Sequence, residues 1–241
     1  MIKLIKSLLP FKFKRTLKEH LGVPSLHWSL QNLKKKGFIP KVAIDIGAYE
    51  GHWTVDFLEV FPDVKVLMLE GQPSKEIYLQ DLSKKFPNVS YAIALLSSKD
   101  DKKVLFNENE TASQINVLAT DFELQNANTK TTVTVDTLVK NLAFPGATFM
   151  KLDVQGYEIE VLKGAMETIS TVEVCMLEVT LLSLGDGSPL ILELINFMDS
   201  LGFQMYDISQ FIKRPFDKAM YQMDVFFVKK NSVLVTDKRW N

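Results

Sequence analysis

"VAIDIGAYEGHW", residues 42–53, is an apolar run that stops at an acid and then turns on two glycines, Gly47 and Gly51. It reads as a buried β-strand that passes through a tight turn into a helix, the unit from which doubly wound α/β sheets are built. Gly47 lets the backbone turn sharply, and Gly51 lets it approach a ligand near the helix start. Tyr49 and Glu50 lie between the glycines, and Asp45 stands at the strand end.

The rhythm continues outward from this stretch. A helix through "HWTVDFLEVF" halts before Pro62, a strand "VKVLMLEG" follows, and "SKEIYLQDLSKKF" has helical period with Ser74 as its expected N-cap. "VSYAIALL" is a third strand. Residues 103–136 break the pattern, with "KVLFNENE" and "TTVTVDTL" expected as extra β elements around the polar "TASQIN". "ATFMKLDV" is a further buried strand, and "YEIEVLKGAMETI" a helix with Ile159, Leu162, Ala165, Met166 and Ile169 on one stripe. "VEVCMLEVT", a helix "LILELINFMDSLG", "FQMYDIS" and "MDVFFVKK" complete the order. Strands alternating with helices predict an α/β domain with a mostly parallel sheet.

With 241 residues, 46% of them hydrophobic and 24% charged, the chain suits one large domain with a short extension. A net charge of −1 supplies no global field toward nucleic acid. The single cysteine, Cys175, sits in an apolar run, which excludes disulfides within the chain and reads as a packing residue. Residues 1–40 form a basic N-terminal helical extension by this reading. Its first twenty carry Lys3, Lys6, Lys12, Lys14, Arg15 and Lys18 against Glu19, with an apolar stretch too broken for a membrane span. The segment reads as a solvated cap helix, or as a peripheral contact with an anionic membrane surface.

Glu70 ends the second strand nineteen residues beyond Gly51. A carboxylate at that place accepts both hydroxyls of a ribose. The loop lacks the G-x-G-x-x-G spelling that seats a pyrophosphate on exposed amides. Asp45 and Glu50 would repel a polyphosphate, yet suit a ligand with ammonium and sulfonium charges. S-adenosylmethionine has both cations, a ribose and no phosphate. Further on, Lys151 and Asp153 share one side of a strand, where a lysine needs a partner. Asp153 is the first candidate for general base, charge-compensated by Lys151; His52, beside the loop, is the rival. Asp153 and Glu178, at the ends of neighbouring strands, also offer oxygens to a divalent cation such as Mg²⁺. Ser113, Gln114 and Asn116 are expected to roof an acceptor pocket. An NAD(P)-binding oxidoreductase and a non-catalytic binding protein on the same fold are the alternatives.

"AIDIGAYEGHWT", "LMLEGQPS", "TVDTL" and "FMKLDVQGYEIEVLKGA", in that order and spacing, resemble the FkbM family of S-adenosylmethionine-dependent methyltransferases across about residues 41–230. The resemblance implies a class I methyltransferase (Rossmann-like) fold over residues 41–241, with a seven-stranded sheet whose last strand is antiparallel. It implies an O-methyltransferase for a hydroxyl of a sugar, glycan or related small molecule, as in polysaccharide biosynthesis. The expected cofactor residues are Asp45, Gly47, Tyr49, Glu50, Gly51, Glu70 and Gly71; the expected catalytic residues are Asp153, Lys151 and His52, and no metal ligand is assigned. Many family members have EPNP where this chain has "EGQPS" and DVEG where it has "DVQG", so Gln155 replaces a frequent glutamate. The lone cysteine and the absence of a signal-peptide core lead to an expectation of a cytoplasmic enzyme; no oligomeric state follows from the sequence.

Overall fold

A computed structural model describes residues 21–107, 114–115, 129–184 and 187–240. Helix α1 (Leu26–Lys35) opens the described chain, with the Ser25 hydroxyl accepting the Trp28 N–H as N-cap. Strand β1 (Val42–Ile46), helix α2 (His52–Val60), strand β2 (Lys65–Glu70), helix α3 (Glu76–Lys85) and strand β3 (Val89–Ile93) follow. Four two-residue strands come next: β4 (Lys103–Val104), β5 (Phe106–Asn107), β6 (Gln114–Ile115) and β7 (Lys130–Thr131). The order closes with α4 (Val135–Asn141), β8 (Phe149–Leu152), α5 (Glu158–Lys163), α6 (Met166–Thr171), β9 (Val174–Thr180), α7 (Ile191–Ser200), β10 (Phe203–Lys213) and β11 (Met220–Lys229).

Seven strands pair in the order β10-β11-β9-β8-β1-β2-β3. The pairs from β9 through β8, β1 and β2 to β3 are parallel, whereas β11 is antiparallel to both its neighbours. This is the class I methyltransferase arrangement expected from the sequence. Alternate residues feed two cores: Ile44, Leu67 and Met150 lie in one, with Leu162 and Leu194 from the helices over that face. Ala43, Val66 and Phe149 lie in the other, with Leu30, Leu33, Phe57 and Leu79 from α1, α2 and α3. Both faces are therefore covered, which is why the central strands read as continuous apolar runs.

Several local expectations change. Ser74 is not an N-cap, because Pro73–Lys75 form a 3₁₀ turn and α3 begins only at Glu76. "VDTL" belongs to α4 rather than to a strand; the Thr134 hydroxyl caps it by accepting the Thr137 N–H. The single helix expected over 157–169 is split into α5 and α6 around Gly164. A Cβ at Gly164 would stand 2.1 Å from the Ser97 carbonyl oxygen, so this corner presses on the backbone after β3. Leu162, Ala165 and Ile169 are buried as expected, but Met166 turns outward. Residues 1–20, and Ser113 and Asn116 of the expected roof, lie outside the described residues; Gln114 is in β6.

Candidate functional site

The strands after β1 step outward through β2 and β3, while β8 and β9 step the other way. The gap between the β1 and β8 ends is the switch point where open α/β sheets take ligands. A cavity of about 510 Å³ opens there. One part of its wall is Gly47, Tyr49, Glu70, Gly71 and Gln72; another is Asp153, Gln155, Tyr157 and Glu178; Gln210, Ile212, Tyr221 and Gln222 of the β10–β11 hairpin close a third side. No lysine, arginine or histidine lines it among the described residues.

The loop after β1 is held by its neighbours. Gly47 and Ala48 both donate their N–H to the Leu69 carbonyl, at 2.9 and 3.0 Å. Gly47 has φ +72°, and a Cβ on it would lie 1.8 Å from the Asp153 carbonyl oxygen, so only glycine fits between the two strand-end loops. Gly51 is needed for a different reason from the one expected. It does not line the cavity; its φ is +76° and a Cβ would meet Leu82 of α3 at 2.2 Å, so it serves packing. Glu70 is buried and faces the cavity, its two oxygens accepting the N–H of Tyr49 at 2.7 Å and of Gln72 at 2.9 Å. Each carboxylate oxygen retains a further lone pair for a ligand hydroxyl.

Asp45 is fully buried and off the cavity wall. Its Oδ2 accepts from the Thr54 hydroxyl at 2.7 Å, and its Oδ1 lies 3.2 Å from the Lys151 ammonium, an ionic contact outside hydrogen-bond geometry. Lys151 is opposite Asp45 on β8 and donates to the Gly47 carbonyl at 2.8 Å. Burial works against its charge, but Asp45 and then Asp153, 3.8 Å away, outweigh that and raise its pKa. Lys151 thus lies beneath the loop, compensating carboxylates, and does not reach the cavity wall. Glu50 is also matched, by Lys75 at 3.2 Å. Asp45 and Glu50 thus each have a lysine partner, Lys151 being shared with Asp153, a pairing that the sequence reading of the loop as acidic did not include. His52 is exposed at the first residue of α2, away from the cavity.

Asp153 and Glu178 do meet at the cavity. The Gln155 side-chain amide donates to Asp153 Oδ1 at 2.7 Å and to Glu178 Oε2 at 3.1 Å, and Gln222 donates to the same Glu178 oxygen at 2.9 Å. Gln155 thus bridges two acids where a glutamate would add a third. Burial first, then the charges of Asp153, Glu158 and Asp224, push the Glu178 carboxyl well above the usual carboxylate range. Asp224, opposite Glu178 on β11, is pushed up to about 7 by burial and by Asp153. Glu158 is buried and bonded to the N–H groups of Val154 and Gly156; burial chiefly raises it to about 7. Asp224, Gln222 and Glu158 were missed in the sequence; an acid within the apolar run "MDVFFVKK" was the signal for the first. Among the described residues, no group of three or more His, Cys, Asp or Glu side chains is arranged to hold a metal ion.

No curated protein matches the chain. Among solved structures it is similar to methyltransferase FkbM from Methylobacillus flagellatus KT, at 16% identity and TM-score 0.48 over 77% of this chain. The match spans 43% of that protein's length, so this chain corresponds to less than half of it. Precorrin-6y C5,15-methyltransferase from Geobacter metallireducens GS-15 is 14% identical, with TM-score 0.47 over 82% of this chain and 84% of that one. Aeropyrum pernix fibrillarin, with bound S-adenosyl-L-methionine, is 12% identical, with TM-score 0.44 over 82% and 74%. The methyltransferase FkbM domain profile matches residues 45–205, from the buried aspartate of β1 into β10. That span holds most of the cavity wall and both strand-end loops, and the chain belongs to the FkbM family of S-adenosylmethionine-dependent methyltransferases.

Proposed function

We propose that the protein transfers the methyl group of S-adenosylmethionine to a hydroxyl of a sugar, glycan or related small acceptor. The observation that carries this reading is that Glu70 and Asp153 face one cavity from opposite sides of the strand-order switch. A ribose at Glu70 and a reacting hydroxyl at Asp153 fit that arrangement. The cofactor supplies an electrophilic methyl on a sulfonium; the residues supply the rest. Glu70, preset by two backbone N–H groups, would accept from the ribose hydroxyls. Asp153 would take the proton that the acceptor hydroxyl gives up when the acceptor oxygen is methylated, the cofactor leaving as its neutral thioether. Lys151 stabilises the Asp153 charge from below, and the Gln155 amide fixes its orientation.

The wall also favours this cofactor over a dinucleotide. A pyrophosphate needs basic side chains or a glycine-lined approach. No lysine, arginine or histidine lines the described wall, and Tyr49 puts a side chain on the turn. Calorimetric titration of the full chain with S-adenosylhomocysteine, NAD and NADP tests the reading. Micromolar binding of the first and none of the others is expected; NAD binding in its place would overturn it. For a lipid-linked acceptor, the basic segment 1–20 would meet an anionic bilayer, each lysine adding about 1 kcal/mol. Vesicle sedimentation unchanged by deleting that segment would remove this part of the proposal.

A further inference from the structure

Tyr49 has φ +50°. Its place in the loop, two residues after Gly47, is where a G-x-G-x-x-G turn carries its second glycine. A side chain in this left-handed region is unfavourable and persists only where the surroundings over-determine it. Here they do so from both ends of one short connection, residues 70–75. Glu70 takes the Tyr49 backbone N–H at 2.7 Å. Lys75, in the 3₁₀ turn that follows, donates to the Tyr49 hydroxyl at 2.9 Å and to Glu50 Oε1 at 3.2 Å, with its ammonium 4.0 Å from the Tyr49 ring centroid. Lys75 is only 7% exposed. A solvated surface ion pair would leave its ammonium in water; this one is nearly dry and ties together two consecutive loop residues.

We propose that Lys75 is a positioning residue for the cofactor, acting through Tyr49. Tyr49 lines the cavity and Lys75 does not. Lys75 holds the Tyr49 side chain while Glu70 holds its backbone, so the loop stands in its ligand-ready shape before anything binds. Without the ammonium, Glu50 loses its counter-charge and the Tyr49 hydroxyl its donor. The loop is then free to leave the left-handed conformation, withdrawing the Tyr49 N–H from Glu70 and loosening the carboxylate that faces the ribose. Binding must then reorder the loop, which weakens affinity without removing any direct contact with the cofactor. The inference rests on the reading of this cavity as the S-adenosylmethionine site.

The test is calorimetry with S-adenosylhomocysteine on the full chain and on Lys75→Met, Lys75→Arg, Tyr49→Phe and the Lys75→Met/Tyr49→Phe double variant. Lys75→Met should bind about tenfold more weakly. Arginine keeps the charge and has N–H donors for both the Tyr49 hydroxyl and Glu50, so Lys75→Arg should recover to within about threefold of wild type. Tyr49→Phe, which deletes only the hydroxyl, should weaken binding about threefold, and the double variant should be no worse than Lys75→Met, because one shared interaction is lost once. If wild type itself fails to bind, the cofactor reading falls and the positioning role, which rests on it, falls with it. If wild type binds and Lys75→Met stays within about twofold of it, the positioning role is overturned. Losses that multiply in the double variant would also overturn it, since Lys75 would then act independently of Tyr49. Should Lys75→Met fold poorly, Lys75→Arg and Tyr49→Phe still decide: a Tyr49→Phe affinity equal to wild type is the overturning result.

Discussion

At the scale of single residues, the proposed function divides the work between Glu70 and Asp153. On the proposed function Glu70 is a binding group: replacing it by alanine would remove two acceptors for ribose hydroxyls, each charge-assisted bond worth about 1.5–3 kcal/mol, together with the acceptor that the Tyr49 and Gln72 N–H groups now use. Glu70→Ala should therefore weaken S-adenosylhomocysteine binding at least tenfold by calorimetry; affinity within twofold of wild type would end the ribose assignment. On the same proposal Asp153 is the proton acceptor. Asp153→Asn preserves shape but cannot accept a proton, so turnover with an acceptor should fall about 10²–10⁴-fold while cofactor affinity holds. Unchanged turnover would make Asp153 structural. His52, exposed and off the cavity, is then no substitute, and Glu178 becomes the group to examine. That Glu70 and Asp153 stand at strand ends was legible from the sequence, because each follows an apolar strand and precedes a glycine or turn, and both line the cavity. Lys75 was not, because nothing in "QPSKEIY" shows that its ammonium folds back over a loop twenty-five residues earlier.

At the scale of elements, the corner between α5 and α6 shows how a helix period can be right and a helix wrong. The apolar spacing of "YEIEVLKGAMETI" runs unbroken through Gly164, yet the helix is interrupted there, and the Ser97 carbonyl occupies the space a Cβ would need. The Gly164 carbonyl in turn accepts the Asp136 N–H at 3.0 Å, tying the corner to α4. Gly164→Ala should push these elements apart and destabilise the protein by about 1–3 kcal/mol, as overpacking does. Urea denaturation reads it directly; a midpoint equal to wild type would show that the corner has room. The same neighbour argument separates Gly47 from Gly51. Both were expected at the ligand, but one abuts the Asp153 loop at the cavity and the other abuts α3.

For the whole molecule, the charges that matter are a buried set rather than the near-neutral total. Glu158 and Asp224 hold protons up to about 7, against ordinary values of 4.5 and 3.8. Between those limits the folded protein binds more protons than the unfolded chain, so ν_U − ν_N is negative and stability falls as pH rises. The contribution is fully present below the unfolded values and is lost as pH rises through about 7; the raised Glu178 extends the decline further upward. Melting temperature should thus be higher at pH 5.5 than at pH 8.5. Glu158→Gln, which keeps an acceptor for the Val154 and Gly156 N–H groups, should flatten the difference. A melting temperature that rises over this range would refute the account.

The sequence by itself determined the strand order's raw material: apolar runs alternating with helical period, a glycine turn after the first strand, an acid at the end of the second, and the block around Asp153 that marks the family. These are local properties, carried by neighbours in the chain, and periodicity reports them without knowledge of the fold. What only the tertiary structure decided is where the charges go. Asp45, read as a ligand contact, is consumed by Lys151 and Thr54; Glu50 is consumed by Lys75; and Gln155 joins Asp153 to Glu178. The lysine pairings and the Gln155–Glu178 bond join distant segments of the chain, whereas Asp45–Thr54 and Gln155–Asp153 are local. The physical reason is that a buried charge takes its meaning from its partner, and partners are chosen by the packing of distant segments, which no local pattern encodes.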